Sequence, residues 1–157
     1  MSLTDIKIKN QGFTIVELLI VVVVIAILAA ITIVSYNGIT TKANASAAKE
    51  TASNVIKKVE LYNGNKGSYP TTITALTASA DSGEAYYIQS GSIKFTTGSP
   101  VANPDSSNGK NTVKFETCGT AAGVRITYWD FEKTGSDKTA TMTAGDTSGT
   151  CTAVAGS

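Results

Sequence analysis

The sequence predicts an α+β protein: one long N-terminal α-helix, membrane-length in its first half and amphipathic in its second, packed on a small antiparallel β-sheet. Three observations carry this reading. From Phe13 to Val34 only Thr14, Glu17 and Thr32 interrupt the apolar residues. Further on, Ala52, Val55, Ile56, Val59 and Tyr62 recur at helical spacing in a stretch free of Pro and Gly. From Gly67 onward the composition shifts to Thr, Ser and Gly with short runs of β-formers.

Taken in order, residues 1–12 are short and polar, with Lys7 and Lys9 against Asp5. The apolar run that follows spans ~33 Å as a helix, enough to cross a bilayer core. Its Val and Ile content suits a strand, but no ordinary strand is that long. Flanking lysines are nearly balanced, so the positive-inside rule leaves the orientation open. Residues 40–62 continue the helix, with Lys49, Lys57, Lys58 and Glu60 largely off the apolar stripe. Gly38 is a weak point between the halves, and Asn63-Gly64 and Lys66-Gly67 read as the C-terminal stop. Strands are expected at Ala85–Gln89, Ile93–Thr97, Thr112–Cys118, Val124–Phe131 and Thr139–Thr143, with residues 99–109 an exposed loop. Neither the half-helix nor the sheet has enough core alone, so the two are expected to form one domain.

Composition narrows the function. A formal net charge of +1 on 157 residues is not the basic surface that nucleic-acid binding needs, and no specific nucleic-acid binding is expected. The chain contains no His, which removes the commonest metal ligand and the commonest general base. Nor is there a nucleophile elbow, a phosphate loop or a persuasive carboxylate pair; an enzyme is not expected, nor a cofactor or metal. Asp81-Ser82-Gly83-Glu84 and Asp146-Thr147-Ser148-Gly149 lack EF-hand spacing and read as solvated turns. The cysteines Cys118 and Cys151 fit neither a CxxC motif nor a zinc set. A structural disulfide in an oxidising, non-cytosolic space is preferred over two free thiols, which places the C-terminal part outside and residues 1–12 in the cytoplasm. Tyr86-Tyr87 and Tyr128-Trp129 read as packing, and the Asn44-Ala45-Ser46 sequon falls inside a predicted helix.

The stretch Gly12-Phe13-Thr14-Ile15-Val16-Glu17-Leu18-Leu19 closely resembles the processing site of type IV pilins and pseudopilins. The match continues through the apolar helix to Tyr36 and reappears at Lys66-Gly67-Ser68-Tyr69-Pro70, a turn often found after the long pilin helix. The resemblance implies that a prepilin peptidase cuts between Gly12 and Phe13 and that Phe13 is then N-methylated. It divides the chain into a leader, residues 1–12, a transmembrane and filament-core helix, 13–38, and a globular head, 39–157, that includes the amphipathic half-helix. It further implies a single-pass precursor in the cytoplasmic (inner) membrane, then a cell-surface filament of identical copies. Its implied partners are other copies of the chain, the peptidase, an assembly platform and, before assembly, membrane lipid. Adhesion, motility and DNA uptake are the roles such filaments serve.

Within that resemblance Glu17 is the assembly residue. A charge inside a bilayer costs on the order of 2–3 kcal/mol, so it calls for a partner. Cleavage would supply one as the Phe13 ammonium, on the same subunit or, in a filament, on the next. Many pilins carry a proline in this helix; here the prolines are Pro70, Pro100 and Pro104. Any melting of the helix is therefore expected at Asn37-Gly38, since Gly costs about 1 kcal/mol relative to Ala.

Two alternatives stand beside this, one within the same class and one outside it. A pseudopilin of a secretion or competence system shares the same N-terminal signal. A membrane-anchored binding module predicts instead an uncut chain or cutting after Ala43-Asn44-Ala45 or Ala45-Ser46-Ala47, about ten residues beyond the apolar run.

Overall fold

The computed structural model describes residues 12–98 and 109–155. The leader up to residue 11 and most of the expected loop at 99–109 lie outside the described residues. Helix α1 covers Ile15–Lys66, 52 residues, and the chain divides between Ile39 and Thr40 into two units.

In the first unit, α1 is helical throughout although Val and Ile are poor helix formers in water. The sequence suits a medium in which no water competes for backbone hydrogen bonds, where a helix satisfies every peptide group internally. By length and composition α1 can cross a membrane.

In the second unit, the amphipathic half of α1 does what its spacing predicts. Ala48, Ala52, Val55 and Val59 are buried, with Ile56 and Tyr62 packed at the margin. The helix runs through Asn63-Gly64 and stops at Lys66. Gly67 takes φ +74°, and its N–H donates to the Asn63 carbonyl at 2.8 Å, a left-handed cap that favours glycine. A short helix α2 (Thr74–Thr77) and a 3-10 turn (Ser79–Asp81) follow.

Among the described residues five strands form one sheet: β1 (Lys94–Thr96), β2 (Thr112–Cys118), β3 (Gly123–Trp129), β4 (Thr139–Gly145) and β5 (Cys151–Ala153). Their order is β1-β2-β3-β4, with β5 also pairing with β2. Val113, Phe115, Val124, Ile126 and Ala144 close the core against α1, joined by Leu76, Tyr86 and Ile88. Tyr86 meets Tyr62 edge to face, centroids 5.1 Å apart.

Three expectations need correction. The sheet is mixed rather than antiparallel, because β1 runs parallel to β2 with Phe95 opposite Val113. The chain between Thr96 and Thr112 is long enough for a crossover, so nothing forces a hairpin there. Ala85–Gln89 is not a strand. Tyr86 and Ile88 do alternate into the core, but the Ile88 N–H donates to the Leu76 carbonyl of α2 at 2.7 Å, so the segment is tied to that short helix instead of to a ladder. Strand β5 was not expected at all. It has three residues, too few to show a period.

Candidate functional site

At the N-terminus, Gly12, Phe13 and Thr14 are non-helical and exposed, and the first helical residue is Ile15. Thr14 is therefore the N-cap and Glu17 the third residue of the helix. The Glu17 carboxylate (Oε2) accepts from the Thr14 backbone N–H at 2.8 Å and from the Thr14 hydroxyl at 2.7 Å. In return, the Glu17 N–H donates to the Thr14 hydroxyl oxygen at 3.2 Å. This is a reciprocal capping box, with Phe13 and Leu18 at the positions of a hydrophobic staple. Thr14-Ile15-Val16-Glu17 fits the S/T-x-x-E pattern that signals such a cap before an apolar run, a signal that the reading of Glu17 as a lone acid passed over.

The apolar side chains from Ile15 to Ile33 lie open. Exposure runs from 84 % at Ile15 to 48 % at Val23 and Val24. A helix that is apolar all round requires an apolar partner, lipid or protein. Asn37 and Gly38 both lie within α1 and are helical.

In the head, Cys118 and Cys151 are joined by a disulfide. They stand directly opposite each other on the antiparallel β2–β5 pair, their Cα atoms 4.0 Å apart. The bond ties the short β5 to the sheet, and the Val154 N–H extends the pairing to the Phe115 carbonyl at 2.9 Å. The turn Lys66-Gly67-Ser68-Tyr69-Pro70 brings Tyr69 over Gly145, where a Cβ would lie 2.4 Å from the ring and 2.5 Å from the Ala122 carbonyl oxygen. Gly145 also has φ +72°, so glycine is required there on two counts. The Tyr69 hydroxyl donates to Glu60 at 3.3 Å, linking this turn to α1.

The sheet also carries an ion cluster that composition alone does not reveal. Glu116, only 4 % exposed, accepts from Arg125 through Nε at 2.8 Å and Nη2 at 3.2 Å, and pairs with the Lys114 ammonium at 2.9 Å. Burial pushes the Glu116 carboxyl up, but the hydrogen bonds and charges of Arg125 and Lys114 outweigh it and hold the group below the usual carboxylate range. The same pairing raises Arg125. Available signals were the alternation of Lys114 and Glu116 along β2 and the opposite charge of Arg125, but register decides which strand faces which. Among the described residues, no group of three or more Asp, Glu, Cys or His side chains could hold a metal ion. Asp146, from one of the two acidic turns, instead accepts from the Ser148 N–H at 2.9 Å.

Comparison with known proteins agrees with this geometry. Residues 7–33 match the family model described as the prokaryotic N-terminal methylation motif. A fimbrial protein of Neisseria meningitidis serogroup A is 32 % identical over 130 residues, covering 82 % of this chain and 71 % of that protein. A fimbrial protein of the serogroup B strain is 30 % identical over 130 residues, with the same coverage. No solved structure matches the chain significantly.

Proposed function

The chain belongs to the type IV pilin family, a family of structural subunits and not of enzymes, and from that premise we propose that it polymerises through its N-terminal helix into an extracellular filament. The observation that carries the proposal is the open apolar surface from Phe13 to Ile33, a membrane-length run of exposed side chains. Lipid covers that surface before assembly, and the helices of neighbouring copies cover it afterwards.

In this reading a prepilin peptidase cuts between Gly12 and Phe13 and the new amine is methylated. The cut removes Lys7, Lys9 and Asp5, so thirteen basic residues lose two, twelve acidic residues lose one, and the side chains of the mature subunit balance. Identical neutral subunits pack without strong mutual repulsion. Glu17 then exchanges its Thr14 hydrogen bonds for the Phe13 ammonium of the next subunit. A misaligned subunit would leave that carboxylate buried and unpaired, which sets the register of assembly. The precursor sits in the inner membrane with its head outside, and an assembly platform extracts it to the cell surface. Cutting after Ala45 or Ala47 is disfavoured, because both lie inside α1 and Ala45 is buried against the head.

Mass spectrometry of the mature protein tests the processing. N-methyl-Phe13 is the expected first residue; an intact chain, or one beginning at Ser46 or Ala48, would overturn it. Electron microscopy of cells producing Glu17→Ala tests the assembly: filaments should be lost while subunit remains in the membrane.

A further inference from the structure

The face of the sheet turned away from α1 carries chemistry that filament assembly leaves unused. By register, Lys114, Glu116, Arg125, Thr127, Thr139 and Thr141 lie opposite to the core-facing Val113, Phe115, Val124 and Ile126. They line a groove of about 470 Å³, with Ser136 and Asp137 at the end where β4 begins. That volume is in the range of small-molecule sites.

One end of the groove is a set of donors. Glu116 has its acceptor sites filled by Arg125, Lys114 and, at 3.4 Å, the Thr127 hydroxyl. A guanidinium has five N–H bonds and an ammonium three. Glu116 takes two from Arg125 and one from Lys114, so most of their donors remain for a ligand. Two cations against one carboxylate also leave this end net positive. The side chain of Arg125 is 38 % exposed, open enough to be met from solvent.

The other end is an acceptor. Asp137, which lines the groove, has Oδ1 taken by the Thr139 N–H at 3.0 Å and the Thr139 hydroxyl at 2.6 Å, which fixes the carboxylate. Between the ends lie the hydroxyls of Thr127 and Thr141. Arg125 is opposite Thr143 and Trp129 opposite Thr139, so the row from the cationic end to the acidic end spans four residues, or about 13 Å.

We propose that this groove binds an acidic saccharide of one or two rings, its carboxylate against Arg125 and Lys114 and its hydroxyls along the threonine row to Asp137. A bare oxyanion would use one end only, and a neutral sugar would leave the cations unmatched. A polyanion such as nucleic acid gains little, because Glu116 and Asp137 offset Lys114 and Arg125, and Lys133 beside Asp137 adds a single further cation. Among the described residues the groove is lined by charged and hydroxyl side chains and not by an aromatic ring, so the affinity is modest, a dissociation constant on the order of 1 mM.

The experiment is a titration of the full chain in detergent micelles, followed by amide shifts in NMR, with digalacturonate, its neutral counterpart digalactose, and inorganic sulfate. Digalacturonate should saturate, with shifts on β3 and β4, and should bind about tenfold more tightly than digalactose or sulfate. Thr141→Val, at an exposed position that leaves the ion cluster intact, should weaken digalacturonate about fivefold and leave sulfate unchanged. Arg125→Gln should abolish the preference for the acid over the neutral sugar. Equal binding of sulfate and digalacturonate, insensitivity to Thr141→Val in a folded protein, or no saturation in the millimolar range would each overturn the proposal.

Discussion

Glu17 accepts two hydrogen bonds from Thr14, one from its backbone N–H at 2.8 Å and one from its hydroxyl at 2.7 Å. The acid in the apolar helix thus has a partner three residues away before any second subunit arrives. Its cost in the membrane is reduced by a cap that any helix start needs. In the proposed assembly, Glu17 exchanges partners rather than being rescued as a bare charge.

Removing the cap should therefore loosen the first turn. Thr14→Val is expected to cost about 1 kcal/mol, with amide exchange at Glu17 rising about fivefold in micelles, and Thr14→Ser should restore it. Unchanged exchange in Thr14→Val would mean the carboxylate is held by something else.

Acid should destabilise the head through Glu116. Its folded pKa lies below the unfolded value, so its contribution is fully present above about pH 4.3 and is lost as pH falls through the folded value. Asp137 is lowered in the same direction by its two hydrogen bonds from Thr139. Thermal unfolding between pH 6 and pH 3, roughly the window around ordinary carboxyl values, should show a falling midpoint. In Glu116→Gln the slope should flatten while the midpoint at neutral pH drops, because Arg125 and Lys114 lose their counter-charge.

Reduction of Cys118–Cys151 should act locally first. For a 33-residue separation the chain-entropy model gives up to roughly 4 kcal/mol. Exchange at the Val154 amide, and at Gly119, which donates to the Thr150 carbonyl, should lose protection on reduction. Amides of the β2–β3 and β3–β4 ladders should stay protected. Uniform loss across the sheet would show that β5 is part of the cooperative core.

The Tyr69–Gly145 contact makes a sharper test of packing. Gly145→Ala places a methyl in the ring of Tyr69 and against the Ala122 carbonyl, at a left-handed φ, and should cost about 2 kcal/mol or more. Tyr69→Leu in the same background should recover part of the loss, read as a double-mutant cycle from denaturant unfolding.

What the sequence determined by itself was whatever depends on neighbours along the chain. The membrane-length run at Phe13–Val34, the stripe Ala52-Val55-Val59, the stop at Gly67, the strand Thr112–Cys118 and, two residues short of its end, the strand starting at Thr139 all follow from local spacing and composition. The N-terminal methylation motif was legible for the same reason, since it is a contiguous stretch, residues 7–33. Tertiary structure decided whatever depends on which strand lies beside which. The parallel β1, the three-residue β5, the failure of Ala85–Gln89 to find a ladder and the meeting of Lys114, Glu116 and Arg125 are questions of register between segments far apart in sequence. A strand's alternation tells which side chains face inward, but only pairing tells what faces them across the ladder.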